Sequence, residues 1–402
     1  MSNQSKYLRL VIILFLLGMG AGFWLPGLTN IIKATGWPNA NSWVAWVFMI
    51  FPLTSIVTPL CVGAFADQRV AAEKLGAWSC GLSAIFMFAA FWFMKNGWGP
   101  WWFFVAFALN SLIAAPLWTL VTTIALSHVP NPEKNFPYIR MCATIGWVVA
   151  GWCASLVFHY DGRPEAGYAG VVLRVLLGVA LALAPHTPPR GVSRSWRSLL
   201  GFDALRLMRN KEMRVLLCVS CALSMPITSF YMHTPEHLQH LRVEMPMLWM
   251  SFGQWSEVAA MLVTGYLMMK FRVKALLMAG LICCVLRFVW FALAGETHHV
   301  GWMIPGIAIH GVCYTIFFIV GQLHLDRQVE PGMRGQLHGL VSLATAGVGT
   351  LLGTLGLKWL HAFTVETRND WATYWLTLTA FTVGCLLWFG FSFQGKASQQ
   401  EK

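Results

Sequence analysis

Long apolar runs alternate with short polar breaks along nearly the whole chain. A helix needs about 20 apolar residues to cross the hydrocarbon core of a bilayer. Twelve runs approach or exceed that length: 8–32, 43–66, 74–94, 101–127, 136–158, 167–185, 212–233, 247–270, 273–294, 300–324, 334–357 and 371–393. Each predicts a membrane-spanning helix. The sixth is the shortest and carries Arg174. The first follows a basic start and has no convincing cleavage site, so it reads as a span rather than a removed signal peptide.

The longest break, 186–211, divides the runs six and six. It opens "PHTPPRG", which cannot continue a helix. It continues "WRSLLGFDALRLMRN", where Trp196, Leu199, Leu200, Leu205 and Met208 share one helical face and arginines the other. An interfacial helix on the inner leaflet and a solvated basic linker both fit that pattern. The expected organisation is a six-helix half over 1–185, a linker over 186–211 and a second six-helix half over 212–402. With a cytoplasmic N-terminus, internal loops hold fifteen Lys and Arg and external ones six. That asymmetry predicts both termini in the cytoplasm.

Composition agrees with the pattern. The chain is 57% hydrophobic and 11% charged, more apolar surface than a soluble protein of 402 residues can hide. The net charge of +12 resides in short loops between spans, so it reads as topology and not as a nucleic-acid surface. The ten cysteines lie almost entirely inside apolar runs and imply no disulfide framework. Cys218 and Cys221 form a single C-x-x-C, read as packing residues. No G-x-x-x-x-G-K-[ST] loop is present, and neither a cofactor nor a metal is expected.

One run breaks its own rule. In "MLWMSFGQWSEVAAMLVTGYLMMK" (247–270) a carboxylate, Glu257, sits near mid-span. A charge there costs about 2.5–3.5 kcal/mol on insertion scales, so such residues usually line pathways or take part in proton relays. Its partner is either Arg287, in the ninth run, or Arg140, early in the fifth and in the other half. Gln254 precedes Glu257 by one turn on the same face. Thr144 and Trp147 share a face with Arg140, and His310 and Tyr314 are i,i+4 neighbours in the tenth run. These groups suit a ligand with a flat ring and several hydrogen-bonding atoms. Gly18 with Gly22, and Gly349 with Gly353, form small-xxx-small pairs for close helix packing.

Two six-helix halves joined by a cytoplasmic linker resemble the major facilitator superfamily, an all-α integral membrane fold of twelve helices with pseudo-symmetric halves. "GAFADQRVAAEK" (63–74) loosely resembles its loop signature, without the second glycine. Within that superfamily, "FPYIRMCATIGW" (136–147), "LLGFDALRLMRNKEM" (199–213), "GQWSE" (253–257), "LRFVWFALAGE" (286–296) and "NDWATYWL" (369–376) resemble the bacterial nucleoside:proton symporters. The resemblance implies uptake by alternating access in a bacterial inner membrane, with nucleoside and proton as partners; the oligomeric state, for which a monomer is the default, stays open. It assigns nucleoside binding to Arg140, Thr144, Gln254 and Glu257, places an aromatic at Trp147, and gives proton coupling to Glu257. Two regions depart from the family pattern. The seventh run has Pro226 and Ser229 where amide side chains are expected, and the tenth reads His310, Tyr314 and Thr315. Ser229, His310 and Tyr314 therefore join the candidate ligand set, and the preferred base stays open.

Other readings remain at this point: a proton-coupled carrier for another small polar solute, or a non-transporting receptor on the same scaffold. A zinc enzyme is the rival from another class. "HTPEH" (233–237) fits H-x-x-E-H, but Pro235 interrupts the helix such motifs require, and no third ligand is evident beyond nearby His240 and Glu244.

Overall fold

The computed structural model describes residues 3–61, 70–130, 132–189, 202–329 and 334–395. Among them every regular element is a helix. The chain forms two compact units, Met1–Ser195 with Glu244–Ser251, and Trp196–Val243 with Phe252–Lys402.

The first unit contains α1 (Asn3–Gly22), α2 (Leu28–Ala34), α3 (Ala40–Cys61), α4 (Ala72–Lys95), α5 (Pro100–Ala114), α6 (Leu117–His128), α7 (Pro132–Trp152) and α8 (Glu165–Ala182). In the second are α9 (Lys211–Ile227), α10 (Ser229–Met232), α11 (Thr234–His240), most of α12 (Pro246–Lys270), α13 (Val273–Thr297), α14 (Met303–Ala308), α15 (His310–Tyr314), α16 (Val320–Arg327), α17 (Arg334–Ser342), α18 (Thr350–His361) and α19 (Trp371–Ser392). Leu10, Leu14, Leu120, Ile124 and Leu177 centre one core; Leu216, Leu277, Leu281, Phe317 and Phe389 centre the other.

The first part of helix α4 is built inside out, whereas Met87 and Phe91 further on are buried. It buries Ser79, Cys80 and Ser83 and exposes Trp78 (65%), Leu82, Ile85 (64%) and Phe88. Water would penalise that arrangement; hydrocarbon favours it, because lipid tails solvate large apolar side chains while small residues let helices approach. Ten helical stretches among the described residues are long and apolar enough to cross a membrane. Each overlaps one of the predicted runs. The predicted first and eighth spans are α1 and α2, and α12, which are not among the ten. Gln254, Ser256 and Glu257 lower the hydropathy of α12 despite its 25 residues.

Glycines set the closest approaches. A Cβ on Gly18 would collide with the Ala143 carbonyl oxygen, and one on Gly22 would meet the Trp147 carbonyl at 2.7 Å. In the second unit, Gly349 faces the Cys221 carbonyl and Gly353 the Met225 backbone, so α18 and the turn before it press on α9. The small-xxx-small pairs thus serve packing. Cys218 and Cys221 are free thiols on α9.

Outside the described residues lie 63–69 of the loop signature, and Trp196, Leu199 and Leu200 of the linker. The described linker segment, Phe202–Arg209, is a 3-10 helix. Its tighter turn eclipses residues three apart and does not support a long amphipathic face. Leu205 is exposed, while Leu207 and Met208 pack on Leu217 and Leu340. In the first unit, buried Glu73 accepts from the Thr187 amide (3.0 Å) and contacts His186 Nδ1 (2.8 Å), tying the start of α4 to the segment after α8.

Candidate functional site

In the second unit, Pro226 lies inside α9 and has no N–H to donate. The chain resumes as the short α10, and this break presents Phe230 and Tyr231. Gln254, buried on α12, donates from Nε2 to the Tyr231 hydroxyl at 2.9 Å. Its side-chain carbonyl oxygen is buried with no hydrogen-bond partner. Glu257, one turn further on, is half-buried.

The tenth predicted span is irregular where it faces α12. It comprises α14, a break at Ile309, α15, a π-helical turn over Thr315–Ile319, and α16. Such turns often mark functional sites, because the extra residue re-aims side chains. Gly311 touches the backbone of Glu257, leaving no room for a Cβ, and its amide donates to the Ser256 hydroxyl at 3.0 Å. The carboxylate-bearing turn is thereby pinned to the turn that carries His310 and Tyr314.

His310 is buried and stacks on Phe230, with centroids 3.6 Å apart and planes at 4°. Its Nδ1 lies 2.7 Å from Arg287 Nη1. A guanidinium only donates, so Nδ1 accepts and the ring carries its proton on Nε2. Arg287 is fully buried, 4.5 Å from the Phe288 ring centroid and 5.7 Å from that of Phe230. Its Nε and Nη2 have no hydrogen-bond partner, and it makes no ion pair among the described residues. Of the two partners considered for Glu257, Arg287 is therefore engaged elsewhere. Tyr314 is partly exposed and stacks against Phe318 at 5.4 Å; its ring lies 6.5 Å from His310. Ser229 is fully buried and donates to the Pro226 carbonyl at 2.6 Å, a bond that uses its only proton.

In the first unit, Arg140 on α7 lies with its guanidinium carbon 4.3 Å from the Trp118 ring centroid. Thr144, one turn on, is buried, and Trp147 is half-buried. Trp118 and Trp147 line a cleft of about 180 Å³ with Arg174 and Leu177. Arg174 Nη1 donates to Ser83 at 3.3 Å, so the cation within the sixth run is anchored to α4.

Sequence reading missed Tyr231, Phe230 and Trp118. Tyr231 and Phe230 follow a proline that breaks a predicted span, a signal that side chains there are re-aimed. Trp118 carries no such mark in a chain with 21 tryptophans.

The fold is that of a major-facilitator-type transporter. The chain superposes on the crystal structure of a substitution variant of nucleoside transporter NupG with a TM-score of 0.87, at 24% identity over 97% of this chain and 100% of that one. On a D-xylose–proton symporter the TM-score is 0.75 at 14% identity, over 98% and 99% of the two chains. Within that class the family is specific: the Nucleoside H+ symporter profile matches residues 4–398, and the chain belongs to that family. It is 28% identical to the putative nucleoside transporter YegT of Escherichia coli K12, over 83% of this chain and 79% of the relative. It is 26% identical to the nucleoside permease NupG of the same organism, over 94% and 93%.

Proposed function

We propose that this protein carries nucleosides into a bacterial cell with protons, by alternating access of two six-helix halves across the inner membrane. The proposed spans are the ten apolar stretches together with α1–α2 and α12, with both termini cytoplasmic and 186–211 as the linker. The proposed nucleoside-binding residues are Gln254, Glu257, His310 and Tyr314 in the second unit and Arg140, Thr144 and Trp147 in the first. Tyr231 takes the ligand-facing role expected of Ser229, whose hydroxyl is held by the backbone. Glu257 takes up and releases the coupled proton.

The observation that carries this reading is the α12 turn itself. A carboxylate lies one turn from an amide whose buried oxygen has no partner, on a helix pinned at Gly311, in a chain of the nucleoside H+ symporter family. An unpaired buried acceptor costs about 1–3 kcal/mol, which a ligand donor would recover. Names of the relatives, nucleoside permease and putative nucleoside transporter, point the same way.

The test is competitive uptake in proteoliposomes with an imposed pH gradient, using nucleosides, free bases, sugars and amino acids. Nucleosides should compete at micromolar to millimolar strength, about −8 to −4 kcal/mol. Competition by another solute class, with nucleosides inert, overturns the substrate. Binding without gradient-driven flux would make the protein a receptor.

A further inference from the structure

The cage around Arg287 occupies only one edge of the histidine it holds. Phe288 and Phe230 flank the guanidinium, and Nη1 reaches His310 Nδ1 at 2.7 Å and the Cys313 sulfur at 3.7 Å. The two nitrogens of an imidazole point away from each other, so engaging Nδ1 turns Nε2 away from the arginine. Among the described residues Nε2 makes no hydrogen bond. It is not sealed, unlike Gln254 Oε1, Arg287 Nε and Arg287 Nη2, which are buried without partners. The ring stands over Gly253, where a Cβ would lie 3.3 Å from His310 Cβ and 3.2 Å from the Phe230 ring. That places it beside the turn of α12 that carries Gln254.

A guanidinium keeps its protons and offers no acceptor. A second proton on His310 would therefore set an imidazolium N–H against a guanidinium N–H at 2.7 Å, two buried cations with nothing between them. Other titratable groups stand on the neighbouring elements: Cys284 on α13, Tyr231 on α10, Glu257 on α12, and Cys313 and Tyr314 on the ring's own helix. Among the described residues only Arg287 hydrogen-bonds the imidazole, so no carboxylate bond is there to offset a second charge. The ring is neutral and carries its one proton on Nε2. It can donate a hydrogen bond without bringing a charge to the site.

We propose that Arg287 is a positioning residue for transport, locking His310 as a neutral donor whose Nε2–H binds an acceptor atom of the nucleoside. The inference rests on the nucleoside reading of the site and adds a selection rule to it. The solute must offer a carbonyl oxygen, an unprotonated ring nitrogen or a hydroxyl oxygen to His310, while a donor of its own meets Gln254 Oε1. A solute with a cationic group at that place meets a fixed donor and is refused. Because the lock excludes a second proton, His310 makes the same bond on both sides of a pH gradient. The coupled proton is left to Glu257.

The experiment measures binding of radiolabelled uridine and adenosine, a pyrimidine and a purine nucleoside, to the full-length protein in lipid nanodiscs. His310→Phe and Arg287→Met should each weaken binding about 3–10-fold, the worth of one hydrogen bond. In the double variant the losses should not multiply, because Arg287 acts only through the ring. His310→Gln keeps an acceptor for Arg287 and a donor for the ligand, and should lose less than His310→Phe. A second arm uses isotope-labelled histidine and nitrogen NMR. The signal missing from His310→Gln should show one proton, on Nε2, from about pH 5 to 8 in the wild type, and should titrate across that range in Arg287→Met. Losses that multiply, or a ring that titrates in the wild type, overturn the inference while nucleosides still bind. If neither nucleoside binds the wild type, the substrate reading fails and this inference with it. Should His310→Phe not elute as a single species, the NMR arm decides: a ring that stays locked in Arg287→Met overturns the positioning role.

Discussion

The two units hold an intramembrane arginine in opposite ways. In the first, Arg140 is half-buried with its guanidinium over Trp118, a contact that itself uses none of the N–H donors. In the second, Arg287 is fully buried between Phe230 and Phe288, hydrogen-bonded to His310, with two nitrogens lacking partners. Both look alike as one cation in an apolar run. Their surroundings assign them different work. The proposed function gives Arg140 the work of a directional fork for ligand oxygens, whereas the caged arginine donates to His310 Nδ1 and so fixes that ring's tautomer.

The largest expected effect comes from Glu257, which has no counterpart carboxylate in the first unit's candidate set. Glu257→Gln should abolish uphill accumulation driven by a pH gradient while sparing nucleoside exchange. Gradient-sensitive accumulation at the wild-type level would place proton coupling elsewhere.

Next is Arg140→Lys. Lysine lacks the planar fork and stacks less well, so uptake should fall about tenfold or more, equivalent to at least about 1.4 kcal/mol. The control Lys134→Arg should not change uptake. Equal tolerance of both swaps would reduce Arg140 to a helix anchor.

Gly311→Ala tests the pinned turn. Its methyl group would overlap the Glu257 backbone, and overpacking of this kind typically costs about 1–3 kcal/mol. A lower melting temperature together with reduced transport is expected; full activity would mean that α12 and α15 separate without consequence.

Arg287→Met should change stability by less than about 1 kcal/mol, because it removes unsatisfied buried donors along with the bond to His310 and the weak one to the Cys313 sulfur. A loss of about 3–5 kcal/mol in thermal unfolding would instead reveal a buried ion pair.

The smallest contrast concerns two aspartates that cap helices outside the spans. In the first unit, Asp161 accepts from the Met247 amide at 2.9 Å, and burial raises its carboxyl pKa. In the second, Asp370 accepts from the Thr373 amide at 2.8 Å, and that bonding holds its carboxyl below the usual range. The signs therefore oppose. Stability linked to Asp161 is lost as pH rises from the ordinary carboxylate value through its raised one. The contribution of Asp370 is present above the ordinary value and lost as pH falls through its lowered one. Melting curves of Asp161→Asn and Asp370→Asn against wild type, from pH 3 to 7, should diverge in opposite pH directions. Parallel curves would show that neither cap titrates differently on folding.

Much was legible in the residues alone. Span positions follow from run length, because a bilayer imposes one thickness on every crossing segment. Glu257 was legible because a carboxylate in such a run conflicts with its solvent, and "GQWSE" and "FPYIRMCATIGW" carried the family resemblance. These signals are local, written within about one helix length.

The tertiary structure decided which groups meet. Tyr231 reaches Gln254 because Pro226 breaks the seventh span, and Arg287 turns to His310 because α13 packs beside the irregular tenth. His361 joins His233 and Glu236 from a distant helix, while His237, inside the same motif, goes to Trp375. Periodicity reports which face of a helix a residue occupies; only packing between helices far apart in sequence determines what that face touches.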